Sequence, residues 1–317
     1  MEELQVGRGK FHFEDPDDLR DWMREHKPRG LVSKVMTEQD AIAQFVSDGD
    51  YLNWERFPHS LIREVVRQKK RDLWLGAKFS GLETTVLVAG GCASKIDIGW
   101  VGGGRALFAA IEQRQVEAFE WANGVLSMRL RAGAMGVPFI PIRWFGGTDN
   151  LPLSGARLVN DPYSGKPICL IPALNPDVSF IHVPQCDRFG NARIFGTSIA
   201  PTESAMASKK VIISTEEIIS EDEVRAEPFK TTIPYYLVDA VVEAPYGAFP
   251  ASVPGYYRGS SEHAAALVQA ASSDGMGEYL ERYVHGVTSH REMLDKIVGL
   301  DALLAMRSEM TIKEGYR

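Results

Sequence analysis

The chain has 317 residues, 44% of them hydrophobic, and a net charge of −7. That is enough apolar material for one large core or two smaller ones, and the acidic balance speaks against a general nucleic-acid surface. No run of about 18 apolar residues suits a bilayer, and the opening MEELQVGRGKFHFEDPDD has no apolar signal-peptide core, so a cytoplasmic protein off the membrane is expected. Cys92, Cys169 and Cys186 are scattered, with no C-x-x-C pair, and imply reduced thiols instead of a disulfide framework or a zinc site.

In chain order, residues 1–33 mix charge with Pro16, Pro28 and Gly30 and read as an N-terminal arm with one short helix around Asp17 to Glu25. The main domain is expected over 34–300, with a tail at 301–317. Thr37 and Asp40 suggest a cap opening a helix from Glu38 to Ser47, and a strand follows from Tyr51 to Trp54. Ser60 is the expected cap of a helix from Leu61 to Lys70, ending in the basic cluster RQKKR (67–71), which reads as a solvated helix terminus. Leu73 to Leu75 reads as a strand. So do the short apolar runs Val86–Val88, Ile96–Ile98, Pro138–Ile142, Cys169–Ile171, Val178–Val183, Val211–Ser214 and Leu237–Val242. Helices are expected at Arg105–Glu112, Gly124–Met135, Glu221–Arg225 and Gly277–Val284. This alternation predicts a single α/β domain with an open, mostly parallel Rossmann-like sheet and helices on both faces.

Generic site motifs are sparse. Gly102-Gly103-Gly104 before a helix lacks the dinucleotide spacing, Gly165-Lys166 lacks the rest of a phosphate loop, and no G-x-S-x-G elbow occurs. The histidines show no metal-ligand spacing. His182, within an apolar run, reads as a hydrogen-bonded core residue, whereas His59, in a loop, is as well suited to a site as to a scaffold. The turn Asp187 to Asn191 reads as structural, with Gly190 free to take positive φ.

Four long phrases carry a family resemblance: EWANGVLSMRLRAGAMGVPFIPIRWFGGTD (120–149), DPYSGKPICLIPALNPDVSFIHVPQCDRFGNARIFG (161–196), VIISTEEIISEDEVRAEP (211–228) and IPYYLVDAVVEAPYGAFP (233–250). Together they resemble the A subunit of class I CoA-transferases of the glutaconate type. The resemblance implies a heteromer, tetrameric or larger, with a B subunit whose glutamate attacks an acyl-CoA and passes CoA to a carboxylic acid through a glutamyl intermediate. No cofactor beyond the acyl-CoA substrate is implied. The Glu-Asn-Gly signature of the nucleophile is absent here: the nearest string is Trp121-Ala122-Asn123-Gly124. No catalytic residue is therefore expected in this chain, which would supply the scaffold and part of the acyl pocket.

Two departures from the family pattern bear on that pocket. After the first strand, a Gly-Gly-Phe loop is replaced by Asn53-Trp54-Glu55-Arg56-Phe57-Pro58, whose bulk would reshape the pocket. Arg56 is placed to meet a substrate carboxylate and Glu55 to act as a base, with a mutual ion pair as the competing reading. A hydrolytic branch that opens steroid-derived rings on CoA thioesters carries a glutamate where Asn123 stands and an arginine matching Arg143. Asn123 can orient a carbonyl but cannot act as a base, which favours transfer over hydrolysis. The substrate-binding set expected from the sequence is thus Asn53, Glu55, Arg56, Phe57, Glu83, Asn123 and Arg143. The runner-up functions are a CoA-thioester or carbon–carbon hydrolase and a non-catalytic acyl-CoA-binding protein.

Overall fold

The computed structural model describes residues 2–196 and 199–308. In chain order the elements are β1 (Glu3–Val6), α1 (Pro16–His26), α2 (Glu38–Phe45), β2 (Tyr51–Glu55), α3 (His59–Arg67), β3 (Leu73–Ala77), α4 (Leu82–Ala89), β4 (Ala93–Ile98), α5 (Gly104–Glu112), β5 (Glu117–Glu120), α6 (Asn123–Met135) and β6 (Phe139–Ile142). There follow β7 (Arg157–Asn160), β8 (Pro167–Pro172), β9 (Val178–Asp187), β10 (Ala192–Arg193), α7 (Pro201–Ala207), β11 (Lys210–Ile219), α8 (Glu221–Ala226), β12 (Ala240–Glu243), α9 (Ser261–Ser272), α10 (Met276–Leu280), α11 (His290–Met293) and α12 (Leu300–Ser308).

The main sheet runs β12-β11-β9-β2-β3-β4-β5 with parallel pairing along this path, and β10 joins β9 antiparallel. The chain winds from β2 outward to β5, then returns to the other side of β2 with β9, so the order reverses between β2 and β9. In open α/β sheets, ligands bind at the carboxyl ends of the strands beside such a reversal. Alternate residues of the strands feed the two faces. Leu52, Trp54, Leu75, Ile96 and Phe180 pack with Ile42, Leu61, Val65 and Leu87 of the helices, whereas Ile181, Val183, Val211 and Ile213 pack with Ala205 of α7.

Two expected strands of that sheet belong elsewhere. Pro138–Ile142 and Cys169–Ile171 lie in a separate antiparallel sheet of order β1-β7-β8-β6, against which Val125 and Leu126 of α6 pack. Short apolar runs do not reveal the sheet they will join, and here β1 of the N-terminal segment supplies an edge. Val86–Val88, expected as a strand, is instead part of α4, buried over Thr84–Leu87; apolar periodicity cannot separate a fully buried helix from a strand. Ser60 does not cap α3. Pro58 holds the cap position, and the Ser60 hydroxyl is buried without a partner among the described residues. Thr37 does cap α2, accepting from the Asp40 amide at 3.1 Å. The basic cluster is less free than a solvated terminus: Arg67 pairs with Glu64 and donates to the carbonyls of Val284 and Val287, and Lys70 donates to Val46.

The 1–33 segment packs onto the body. Lys27 forms a buried ion pair with Asp239 at 2.6 Å, and the His12 carbonyl accepts from Arg129 at 2.8 Å. At the other end α12 runs to Ser308 with Leu303 and Met306 buried, and the remainder of the expected tail, 309–317, lies outside the described residues. The Asp187 turn is the structural device expected of it. Its Oδ1 accepts from the amides of Phe189, Gly190 and Asn191 at 2.8–2.9 Å, and Gly190 takes φ +104° where a Cβ would strike Val238.

Candidate active site

The carboxyl ends of β2, β3 and β4 open into a cleft of about 860 Å³. Its geometry begins with the chain leaving β2. All five strand residues are buried, and the next two, Arg56 and Phe57, both take left-handed backbone angles, φ 62° and 59°. Non-glycine residues in that region cost roughly 1–2 kcal/mol each and persist where the surroundings enforce them, commonly at functional sites. The expected loss of glycine therefore has not removed the glycine-like backbone. It has added two large side chains to it, and the reversal brings His59, the first residue of α3, to the cleft wall.

Two buried charge pairs line the cleft. Glu55, the last residue of β2, pairs with Lys78, which follows β3, and also accepts from the Ser204 hydroxyl at 2.7 Å. Burial pushes the Glu55 carboxyl above its ordinary range, with the Lys78 charge opposing that shift. Arg56 is not the partner of Glu55 in an ion pair; its half-buried guanidinium has its pKa lowered by burial, with the neighbouring Glu55 charge acting the other way. Deeper along α4, Glu83 Oε1 lies 3.3 Å from His59 Nε2, and both side chains are buried. Burial alone would raise the Glu83 pKa, but the hydrogen bond and charge of His59 outweigh it and hold the carboxyl below its ordinary value.

The rest of the wall is apolar and largely aromatic. Trp54 lies at its base, and Phe57, Phe79 and Trp100 project at the rim, each about half exposed. Phe57 stacks on His59 with ring centroids 6.4 Å apart, and Phe79 meets Trp100 edge to face at 6.3 Å. Gly102 makes room for the Trp100 ring, since a Cβ there would sit 2.0 Å from it. The glycine run before α5 is thus explained by packing.

Of the seven residues expected to bind substrate, Glu55, Arg56, Phe57 and Glu83 line the cleft, whereas Asn53, Asn123 and Arg143 lie outside its lining. Asn53 is fully buried within β2 and donates to Ser179 at 3.0 Å. Asn123 opens α6, its Oδ1 buried without a partner among the described residues and close to Gly99. Arg143 does follow a strand, but β6 belongs to the antiparallel sheet, and the side chain is exposed, 3.7 Å from Asp161. His182 is a core residue as expected, held by Ser214 at 2.8 Å and Glu216 at 2.7 Å.

Sequence reasoning overlooked Lys78, Ser204, Phe79 and Trp100. Ending the strand at Leu75, two residues early, hid the placement of Lys78 at the carboxyl edge; the strand runs to Ala77. Ser204 reaches Glu55 from 149 residues away, a distance in sequence that no local pattern signals.

The family model for coenzyme A transferases matches residues 35–244. An uncharacterized protein of Archaeoglobus fulgidus is 40% identical over 95% of this chain and 70% of its own length. The A subunit of 3-oxoadipate CoA-transferase from Pseudomonas knackmussii is 29% identical over 84% of this chain and 99% of its own. The crystal structure of glutaconate coenzyme A-transferase from Acidaminococcus fermentans superposes with a TM-score of 0.81 at 27% identity, covering 87% of this chain and 96% of that one. The chain belongs to the coenzyme A transferase family, as an A subunit of its class I type.

Proposed function

We propose that this chain forms the acyl pocket and scaffold of a heteromeric CoA-transferase whose nucleophile is a glutamate of a B-type partner. The observation that carries the reading is the state of the cleft's own carboxylates. Glu55 is held by Lys78 and Ser204, and Glu83 by His59, so both carboxylates that line it are already engaged. An ion pair lowers the nucleophilicity of a carboxylate, and each of these two is held in one through its Oε1.

In the reaction, a partner glutamate oxygen attacks the thioester carbon, the C–S bond breaks and CoA thiolate leaves. The thiolate then attacks the glutamyl carbonyl of the resulting anhydride and frees the donor carboxylate. An acceptor carboxylate reverses the two steps, so no water is consumed and no proton is gained or lost. The CoA-transferase relatives are themselves named as A subunits, which supports a B-type partner, with a tetramer or larger assembly as the expected form. Acyl-CoA is a substrate and no further cofactor is invoked. Among the described residues no helix is long and apolar enough to cross a membrane, in keeping with a cytoplasmic enzyme. By the family resemblance Asn123, which lies outside the cleft lining, takes the position of the hydrolytic branch's glutamate, and an amide there cannot act as a base on water, which favours transfer.

The test is to isolate the chain with its co-purifying partner and follow CoA between thioesters. Exchange that requires an added carboxylate and shows ping-pong kinetics agrees with the reading. Steady release of free CoA, independent of any carboxylate, overturns it in favour of hydrolysis.

A further inference from the structure

We infer that the cleft selects a bulky, apolar, ring-bearing acyl group over short or dicarboxylic ones. This rests on the reading of the cleft as the acyl pocket. The first support is charge. Lys78 pairs with Glu55 and His59 with Glu83, so the buried charges of the lining are matched one to one, and the half-buried Arg56 stands outside those pairs. Lys78, the buried cation, is already committed to Glu55 and also lies 3.4 Å from the Ile199 carbonyl. A second acidic group reaching the buried wall would enter a low-dielectric region whose cations, Lys78 and His59, are already paired, with Arg56 remaining only at the half-buried edge.

The second support is shape and surface. The walls are set by Trp54, Phe57, Phe79, Trp100, Leu82 and Leu267, around about 860 Å³. Phe57, Phe79 and Trp100 are 51%, 53% and 54% exposed in the single chain, a clustered aromatic surface of the kind that marks a site for a ligand or a partner. An acetyl group would touch little of it. A ring entering beside Phe79 and Trp100 could add an offset or edge-on contact to the existing edge-to-face pair. Gly102, whose missing Cβ admits the Trp100 ring, fixes that wall.

The test is calorimetric binding of phenylacetyl-CoA, acetyl-CoA and glutaryl-CoA to the chain in complex with its partner, without acceptor. Phenylacetyl-CoA should bind at least about tenfold tighter than either of the others. Trp100→Ala should erase most of that preference, and Trp100→Phe, which keeps an aromatic wall, should retain it. Equal affinities, tighter binding of glutaryl-CoA, or a Trp100→Ala complex that keeps its preference or loses only its partner would overturn the inference. Because binding is read without turnover, a complex that shows the preference but transfers no CoA contradicts the transferase reading alone. One that transfers CoA with no preference contradicts only the acyl class.

Discussion

Two groups of buried charges in this molecule are built on opposite plans. Around Asp97 and Arg129 every exit is closed: both side chains are fully buried and 2.9 Å apart. Asp97 also accepts from Tyr51 at 2.8 Å and Trp74 at 3.0 Å, while Arg129 donates to the carbonyls of His12 and Pro172 and stacks on Trp121. That node ties the N-terminal segment, β4, α6 and the antiparallel sheet together. In the cleft, Glu55–Lys78 and Glu83–His59 are also buried, though not completely, and line an open space, at the end of a strand whose exit is forced through two left-handed residues. A satisfied polar node specifies the fold; paired charges beside open space specify a site.

The largest expected effect breaks the closed node. Arg129→Met strands the Asp97 carboxylate and should cost about 3–5 kcal/mol, read as a lower urea midpoint. A loss below about 1 kcal/mol would mean that the node is not a structural centre. In the cleft the balance should invert. Glu55→Gln should lower the assembled enzyme's kcat/KM by at least about tenfold, an increase in barrier of about 1.4 kcal/mol, while stability changes by less than about 2 kcal/mol. A variant that unfolds but turns over normally when folded would make Glu55 another structural carboxylate.

The smallest effect sharpens the comparison by sign. Glu83 is held below its ordinary 4.5, so the stability it contributes is present above that value and is lost as pH falls through the lowered one. Glu55 is raised above 4.5 by burial, so its contribution is present below that value and is lost as pH rises through the raised one. In urea titrations across pH, Glu83→Gln should flatten the acid limb and Glu55→Gln the limb above 4.5. The same change from both substitutions would contradict the assignment of the two environments.

How far the sequence revealed these regions follows from how each is built. The parallel sheet was legible because strands buried on both faces leave continuous apolar runs, as in Val178–Val183 and Val211–Ser214. The second sheet was not, since its edge strand Glu3–Val6 is exposed along its whole length and, at 4 residues, too short for the alternation of Leu4 and Val6 to stand out. The cleft was half legible. Glu55, Arg56, Phe57 and Glu83 follow local elements, but the identity of Glu55's partner depends on where β3 ends and where α7 docks. The Asp97–Arg129 node left no signal, because its members lie 32 residues apart on a strand and a helix and meet only when the two sheets assemble around α6.

The central claim is that the cleft belongs to this chain and the nucleophile to another. Incubating the assembled complex with acyl-CoA in the absence of acceptor, then reducing with borohydride, converts a glutamyl thioester to an alcohol that peptide mass spectrometry can locate. The modified glutamate should lie in the partner's sequence, and Glu55→Gln, Glu83→Gln and Glu120→Gln complexes should each still form the adduct. A modified glutamate in this chain would contradict the account.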